Sequence, residues 1–459
     1  MLGLEVLGLI LMAVLLSVSS LVAISGGTVM VPFAIYLLGM TTTQAVALSN
    51  FITVLKAGVK YGVSLRNRSP HSDWKTAIDY NAALAMLPLN VMLSVVGGIA
   101  SSVIPGLLTL MIMVVCIFQA VYNGTRNLLR LTKLERGSSK VEPLRKPEEP
   151  QMETSRKIEV EHELGKLKAP KEEPQTTTED LRPATPPTPI TENQVSDQPL
   201  ESAETAPAQF LVSENETLIE VQRKIEGNNF HWPKFLPILA MILLSVLVSL
   251  LRPGKTPTSL VGIKKCSAGD FLVLAGYMIL MAFLPVYAYK LIQTEQKHKD
   301  RIGWIKANDE VYLDRNKFIF SSIWSGVSGL ISTLLGIGGG ILLNPLMAIL
   351  QYLPASASWT INLNALVGRF AAVITHIIYG DLLYDYVLFC GVVISIVVYI
   401  SENLMNYFLL KKLKSQRPYA MIFLGVVLLS LVLNVLVGVD KWITEQSKGI
   451  DVWKFKSLC

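Results

Sequence analysis

Two short stretches, VAISGGTVMVP at 22–32 and LGIGGGILLNP at 335–345, carry the same signal at two places in the chain. In each, a proline stands five residues after the last glycine of a glycine run, and apolar residues surround both. Glycine weakens a helix, whereas proline lacks the N–H donor and clashes with the preceding turn. The pattern therefore predicts a helix that breaks inside an apolar segment, and predicts it twice.

The composition indicates a membrane protein. Of 459 residues, 51% are hydrophobic, and the mean hydropathy is +0.45. Several mostly apolar runs reach the roughly 18 residues or more that a crossing of about 30 Å of hydrocarbon needs. The runs are continuous rather than alternating, so a polytopic α-helical protein is expected and a β-barrel is not. The apolar segments are 4–38, 44–65, 77–103, 105–126, 233–251, 268–290, 318–352, 355–379, 384–410 and 418–438.

The first of these segments lacks a basic start and a small-residue cleavage site, so it is interpreted as a retained span rather than a signal peptide. A Pro-, Glu-, Lys- and Thr-rich stretch then separates two apolar halves and is expected to be disordered and cytoplasmic. The predicted parts are a first transmembrane repeat (1–130), a disordered linker (131–231), two extra transmembrane helices with a cytoplasmic loop (232–315), a second transmembrane repeat (316–438) and a C-terminal tail (439–459).

The two halves resemble each other under one ungapped shift of the numbering. Gly26 corresponds to Gly339, a shift of 339 − 26 = 313 residues. The same shift relates Pro32 to Pro345 and Lys56 to Arg369. Chance similarity between apolar segments is the alternative, but a shared glycine pair, proline and mid-segment cation favour a true internal repeat.

Each broken segment is too long for a single crossing. The 35 residues of 4–38 or of 318–352 would form a straight helix of about 52 Å. We therefore predict that each forms a hairpin of two short or re-entrant helices. The turns are expected at Gly26-Gly27 and at Gly338-Gly339-Gly340.

The charged loops indicate the topology. With the N-terminus outside and each broken segment returning to its starting face, four groups of basic residues lie in the cytoplasm, as the positive-inside rule predicts. They are Arg66, Arg68 and Lys75; Arg126 and Arg130; Lys290 to Lys317; and Lys411, Lys412, Lys414 and Arg417. The loop with Arg252, Lys255, Lys264 and Lys265 disagrees. On this count the second repeat enters from the opposite face, giving the inverted repeat typical of secondary transporters.

The breaks point to an anion site. Irregular backbone at membrane depth lines a cavity or is buried in protein, and a helix N-terminus attracts anions. Ionisable residues within the membrane are costly and usually functional. The substrate-binding candidates are Gly26, Gly27, Thr28, Asn50, Lys56, Gly339, Gly340, Asn362 and Arg369, with Glu402 as a candidate for ion coupling.

Structural interpretations of the same residues are open. Small residues such as these glycines also allow close helix packing, and the asparagines could form hydrogen bonds between helices. Arg369 could pair with Glu402, and Lys60 could extend to the membrane interface. His376 is a weaker candidate for function.

No catalytic constellation is visible in the sequence. The five histidines are scattered, and no His/Cys cluster has metal-ligand spacing. GIGGG is not a phosphate-binding loop because no Gly-Lys-Ser/Thr follows it. An enzyme, a metal, a cofactor and a nucleic-acid partner are therefore not expected.

The motifs GGTVMVPFAIYLLGMTTTQAVALSNF, IDYNAALAMLP and SGVSGLISTLLGIGGGILLNPLMAILQYLPASASWT resemble the two halves of sulfite exporter (TauE/SafE) transporters. The resemblance covers about 4–130 and 316–438, without the linker or the extra segments. Ile24-Ser25 and Trp359 depart from the family pattern. The resemblance implies export of sulfite, organosulfonates or related anions.

The prediction is therefore an integral membrane transporter of a small anion that works by alternating access, with the lipid bilayer as its surroundings. A non-transporting scaffold or receptor that uses the linker for docking is the main alternative. It has no need for cations in mid-membrane. A cation or metabolite carrier would need acidic residues there, and only Glu402 qualifies. The sequence leaves a homo-oligomer open.

Overall fold

The structure is all-α apart from one small hairpin. The computed structural model describes residues 12–19, 27–69, 72–138, 217–228, 231–254, 259, 261–304, 310–407, 417–447, 453 and 455. Its elements are α1 (Gly27–Leu37), α2 (Thr42–Ser64), β1 (Arg68–Ser69), β2 (Ser72–Thr76), α3 (Tyr80–Val103), α4 (Gly106–Ser138), α5 (Trp232–Leu251), α6 (Ala268–Arg301), α7 (Arg315–Leu335), α8 (Gly340–Ile349), α9 (Pro354–Tyr379), α10 (Tyr384–Asn406) and α11 (Arg417–Ser447). Residues 12–19 and 217–226 are also helical. The predicted all-α class is confirmed.

Eight helices in the described part of the chain are long and apolar enough to cross a membrane, namely α3 to α7 and α9 to α11. The protein is thus an integral, multi-pass membrane protein. α2 has 23 residues, enough for a crossing, but it is not among the eight. Its polar residues are sheltered because α1, α9 and α10 pack around it.

The second broken segment turns at its glycines, as the sequence predicted. α7 ends at Leu335, Gly336 and Gly338 adopt left-handed backbone with φ of 69° and 71°, and α8 begins at Gly340. This conformation favours glycine because a Cβ would clash there. The expectation of two short limbs is wrong for α7. With 21 residues and no proline it is long enough to cross, and only the 10-residue α8 is short.

The prolines do not mark the break. α1 begins at Gly27 and α8 at Gly340, so Pro32 and Pro345 are each the sixth residue of their helix. A proline early in a helix removes one hydrogen bond without ending the helix, provided that another donor serves the carbonyl left over. Gly26 lies outside the described residues.

The halves are joined most extensively along α3 and α7. Gly326 and Gly329 of α7 lie against α3, where a Cβ at Gly329 would overlap the backbone of Asn90. The Ser322 and Ser325 hydroxyls donate to the Ala85 and Met86 carbonyls at 2.6 and 2.9 Å. Small residues thus bring the broken helix close to its neighbour, as is usual between membrane helices.

Helix contacts follow the shift of 313 residues. α2 packs against its counterpart α9, and the pair α1–α2 corresponds to the pair α8–α9. Beyond a loop that is seven residues longer in the first half, Asp79-Tyr80 corresponds to Asp385-Tyr386, so α3 corresponds to α10 and the pair α2–α10 to the pair α9–α3. An exchange of the two halves would map these contacts onto each other. The inverted orientation and the domain bounds remain predictions.

The end of the predicted linker is ordered. Residues 217–226 are helical, and the Arg68 guanidinium donates to the Gly227 carbonyl at 2.5 Å. Lys299 of α6 pairs with Glu226 and Glu310, and the 3% exposure of its side chain shows that these ion pairs are buried. Residues 217–226, which were predicted as part of the disordered linker at 131–231, are therefore ordered by these contacts. Residues 139–216 lie outside the described part.

The discordant basic loop is partly neutralised. Arg252 contacts Asp270 at 2.7 Å, and both side chains are nearly buried. Cys266 is disulfide-bonded, which the sequence did not indicate. Disulfides persist in oxidising compartments, so this agrees with the predicted outer position of the loop.

Candidate functional site

The start of α1 meets the break between α7 and α8 in the interior. A Cβ at Gly27 would overlap the carbonyl oxygen of Gly336, so the start of α1 lies directly against the turn between α7 and α8. Ser49 of α2 donates to the same carbonyl at 2.7 Å. The close approach supports the packing interpretation of Gly27, and it also brings the first half's helix start beside the second half's irregular backbone.

The N-terminus of α1 is held by α11. Pro32 has no N–H, so the carbonyl of Thr28, four residues earlier, has no helical donor. Asn434 donates to that carbonyl at 2.7 Å, and the Ser430 hydroxyl donates to the Thr28 hydroxyl at 3.0 Å. Asn434 thus compensates for the proline, and Ser430, one turn earlier on α11, holds the Thr28 side chain.

Arg369 lies at the contact between the halves. Its Nη1 donates to Asn50 Oδ1 at 2.6 Å and to the Ser332 carbonyl at 2.7 Å, near the end of α7. The residue is 2% exposed, and its Nη2 has no hydrogen-bond partner among the described residues. The guanidinium therefore joins α9 to α2 and to the last turn of α7 while keeping donor capacity.

Lys56 belongs to a second cluster on α2. Lys60 Nζ lies 3.2 Å from Glu402 and donates to the Ser358 hydroxyl at 2.9 Å, with Lys56 buried in the electrostatic field of both Lys60 and Glu402. The suggested Arg369–Glu402 pair is therefore wrong. Lys60 does not extend to the interface either, because it is 1% exposed.

The buried charges of these helices do not balance. The buried charged residues of α2, α9 and α10 are Lys56, Lys60, Arg369 and Glu402, formally three positive charges and one negative, a net of +2. Burial of an uncompensated charge costs several kcal/mol. The net positive charge of these three helices would favour an anion at this place.

The remaining candidates lie nearby without a shared contact. Asn362 is 3% exposed, and its Nδ2 has no partner among the described residues. Gly339 precedes α8, and its carbonyl accepts from Ser328 at 3.3 Å. Gly340 accepts from the Asn344 side chain at 2.8 Å. The distances thus unite Gly27 with Gly336 and Asn50 with Arg369, and place Lys56 with the Lys60–Glu402 pair.

Several contributing residues were missed from the sequence: Ser332, Ser358, Ser430 and Asn434. His376, the weaker candidate, lies 3.3 Å from Asn50 Nδ2 through its Nε2. Ser430 and Asn434 had a usable signal, since two polar residues four apart in an apolar helix share one face. Ser332 contributes only its carbonyl, which no sequence pattern reveals.

Two cavities lie at corresponding ends of α2 and α9. The larger, about 380 Å³, opens beside Gly39 and Thr41, and Lys441 is the charged residue among its described lining. The smaller, about 50 Å³, lies beside Tyr352 and Pro354. The shift of 313 residues relates Gly39 to Tyr352 and Thr41 to Pro354.

Metal chemistry finds no support in the part of the chain that the structure describes. No group of three or more His, Cys, Asp or Glu side chains there could hold a metal ion.

Comparison with known proteins agrees with the motif resemblance. A model of the family "Sulfite exporter TauE/SafE" matches residues 207–435. "Sulfite exporter TauE/SafE family protein 1" of Arabidopsis thaliana is 20% identical over 364 residues, which cover 79% of this chain and 68% of the relative. "Sulfite exporter TauE/SafE family protein 2" of the same plant is 23% identical over 372 residues, with the same coverage. No solved structure matches the chain.

The family match corrects one expectation. It includes α5 and α6, which the motif resemblance left outside the family region.

Proposed function

Because the chain belongs to the sulfite exporter TauE/SafE family of membrane transporters, we propose that it moves sulfite, an organosulfonate or a related small anion across the membrane by alternating access. The observation that carries this proposal is the formal net charge of +2 on the buried charged residues of α2, α9 and α10. A scaffold has no need for such costly charges.

Arg369 is the proposed centre of the anion site. Its second nitrogen is buried without a hydrogen-bond partner among the described residues. A guanidinium can hold an oxyanion through two parallel hydrogen bonds. The first N–H groups of α1 and α8, after Gly27 and Gly340, would add donors with partial positive charge. Lys56 would complete the charge balance.

The unequal cavities support alternating access. At the start of α2 the cavity measures about 380 Å³, whereas the corresponding one at the start of α9 measures about 50 Å³. In a transporter built from two related halves, equivalent ends take opposite states in each conformation. The wider cavity would be the open entrance, and Val46 on its wall packs against Gly336 at the break.

The test is anion uptake into proteoliposomes that contain purified protein. Labelled sulfite, sulfate and ethanesulfonate are compared for the wild type, Lys56→Gln and Arg369→Gln. Loss of a buried charge contact of about 3 kcal/mol or more predicts at least a tenfold loss of flux in Arg369→Gln. Lys317→Gln is the matched control, because the Lys317 side chain is 50% exposed at the start of α7.

Two results would contradict the proposal. Equal flux in wild type and both site variants would remove Lys56 and Arg369 from the site. Folded wild-type protein that transports none of the three anions would favour the scaffold or receptor alternative.

A further inference from the structure

A continuous line of polar contacts runs from a loop residue to Arg369. Asp381 Oδ2 lies 3.5 Å from His376 Nδ1, and His376 Nε2 lies 3.3 Å from Asn50 Nδ2. Asn50 Oδ1 in turn accepts from Arg369 at 2.6 Å. Asp381 is partly exposed, with 27% of its side chain accessible, whereas His376, Asn50 and Arg369 are at most 3% exposed.

The backbone holds Asp381 in this position. Gly380 ends α9 in the left-handed conformation with φ of 68°. The Asp381 N–H then donates to the His376 carbonyl at 3.1 Å. The carboxylate is thus fixed beneath the last turn of α9, next to the imidazole.

The direction of every hydrogen bond in this line is determined by Arg369. A guanidinium can only donate, so the atom of Asn50 that faces it must be the oxygen. The amide nitrogen of Asn50 therefore faces His376, and it too can only donate. His376 Nε2 must consequently accept, which leaves the single ring proton of the neutral imidazole on Nδ1, facing Asp381.

His376 cannot take a second proton while Asn50 accepts the hydrogen bond from Arg369. With both ring nitrogens protonated, Nε2–H would point at the N–H₂ of Asn50, placing two donors face to face. If the Asn50 amide turned by half a turn, its oxygen could accept from Nε2–H. Its N–H₂ would then face the guanidinium of Arg369, which is also a donor. Protonated His376 and the Arg369–Asn50 hydrogen bond are therefore mutually exclusive.

We propose that His376 is a proton switch that couples proton binding to anion binding at Arg369. When His376 takes a proton, Arg369 loses Asn50 as an acceptor, and its guanidinium is directed to the transported anion instead. The protonated imidazole also adds a positive charge near the site. This inference rests on the proposed function and adds a coupling ion to it.

The elements packed around α9 carry other charged and polar groups. α5 and α6 contribute Arg252 and Asp270, which pair with each other at 2.7 Å. α2 presents the uncharged Asn50 here, and its cations Lys56 and Lys60 belong to the cluster with Glu402. α3 faces α9 with Asn90 and Ser94 beside Gly368, and Lys441 on α11 donates to Thr42.

The sign of the coupling follows because protonated His376 and the Arg369–Asn50 hydrogen bond exclude each other. Protonation frees Arg369, so the anion should bind more tightly at acidic pH. By thermodynamic linkage, the anion must raise the proton affinity of His376 by the same factor. Proton and anion should therefore move in the same direction across the membrane.

The test uses proteoliposomes loaded with a pH-sensitive dye. Sulfate and ethanesulfonate serve as probes because neither changes charge across the pH range in which histidine titrates, so uptake is compared at about pH 6 and about pH 8. Wild type should bind the transported probe at least about fivefold more tightly at the lower pH, within the usual range of coupling between two sites. The dye should report proton entry together with the anion.

His376→Gln removes the proton site but keeps an acceptor for Asn50. Its affinity ratio between the two pH values should fall to about one, and its dye signal should disappear. His298→Gln, which changes an exposed histidine on α6, should behave as wild type. Wild-type coupling retained in His376→Gln would overturn the inference.

If His376→Gln does not fold, the partly exposed Asp381 provides a second variant for the test. Asp381→Asn removes the carboxylate that faces Nδ1 of His376, so the affinity ratio between about pH 6 and about pH 8 should change. An unchanged profile in folded Asp381→Asn would contradict the switch. Absence of transport in wild type at both pH values would overturn the proposed function and the switch with it, whereas pH-independent transport in wild type would overturn the switch alone.

Discussion

Gly27 at the start of α1 and Gly336 at the end of α7 are in direct contact, although they belong to different halves of the chain. No side chain fits between them, and Ser49 donates to the Gly336 carbonyl at the same point. The meeting of the two broken segments therefore depends on the absence of a Cβ at Gly27.

Gly27→Ala should destabilise the protein and reduce transport. The added methyl group would overlap the Gly336 carbonyl, and overpacking in a close contact costs about 1–3 kcal/mol. Thermal unfolding of the purified protein measures the loss. Gly62→Ala is the control, because a Cβ there meets nothing within 4 Å. Equal melting temperatures of the two variants would show that the contact is looser than described.

We expect the Lys60–Glu402 ion pair to have a structural role, and we expect the protein to tolerate the removal of both side chains together. Removing one partner leaves a buried charge, so Glu402→Gln or Lys60→Met alone should cost about 3–5 kcal/mol. The double variant Lys60→Met/Glu402→Leu should recover most of the stability. The exposed pair Lys224–Glu220 provides the comparison, and Glu220→Gln should cause no measurable change.

This experiment also tests the coupling role suggested for Glu402. If the double variant still couples proton entry to anion uptake, Glu402 is not the proton carrier. Loss of coupling with preserved anion flux would assign that role to Glu402 after all.

Asn434 should matter only because Pro32 is present. Asn434→Leu leaves the Thr28 carbonyl without its donor, which should cost about 1–3 kcal/mol. In Pro32→Ala/Asn434→Leu the new N–H of residue 32 can serve that carbonyl, so part of the stability should return. A double-mutant cycle measures the coupling between the two positions. Strictly additive effects of the two changes on stability would show that Asn434 does not replace the missing N–H of Pro32 as the donor to the Thr28 carbonyl.

The ion pairs of Lys299 should respond to pH in opposite ways. Burial raises the pKa of Glu226 despite the attraction of Lys299. Burial acts in the same direction on Glu310, but the attraction of Lys299 outweighs it there and lowers the pKa.

The signs follow from linkage. The raised pKa of Glu226 gives stability that is present below the unfolded value, about 4.3, and is lost as the pH rises through the folded value. The lowered pKa of Glu310 gives stability that is present above the unfolded value and is lost as the pH falls. At neutral pH, Glu226→Gln should thus melt at a higher temperature than wild type and Glu310→Gln at a lower one. Melts repeated down to acidic pH should show both differences shrinking.

The disulfide at Cys266 provides a test of the topology. In intact cells, a membrane-impermeant maleimide should label Cys266 only after treatment with an impermeant reductant. The described free cysteines, Cys116 and Cys390, are buried and should stay unlabelled. A cysteine introduced at residue 190 of the linker should react only after permeabilisation. The opposite pattern would invert the orientation of the chain.

Much of the fold could be predicted from the sequence because its signals are local. Hydropathy over one segment identifies a crossing, and the left-handed backbone at Gly336 and Gly338 needs no partner to favour glycine. Lys56 and Arg369 were recognisable as candidates because a cation inside an apolar segment is costly wherever it packs. The disulfide at Cys266 and the ordered helix at 217–226 could not be predicted, because both depend on contacts that the local sequence does not show.

The sequence by itself determined that the chain crosses a membrane repeatedly, breaks the segment at Gly336 to Gly340 and buries cations. Only the tertiary structure decided which groups these cations meet. Arg369 contacts Asn50 across 319 residues of sequence, and Glu402 selects Lys60 rather than Arg369. Such pairings depend on which helix faces lie against each other, and hydrogen bonds and ion pairs act over only a few ångströms.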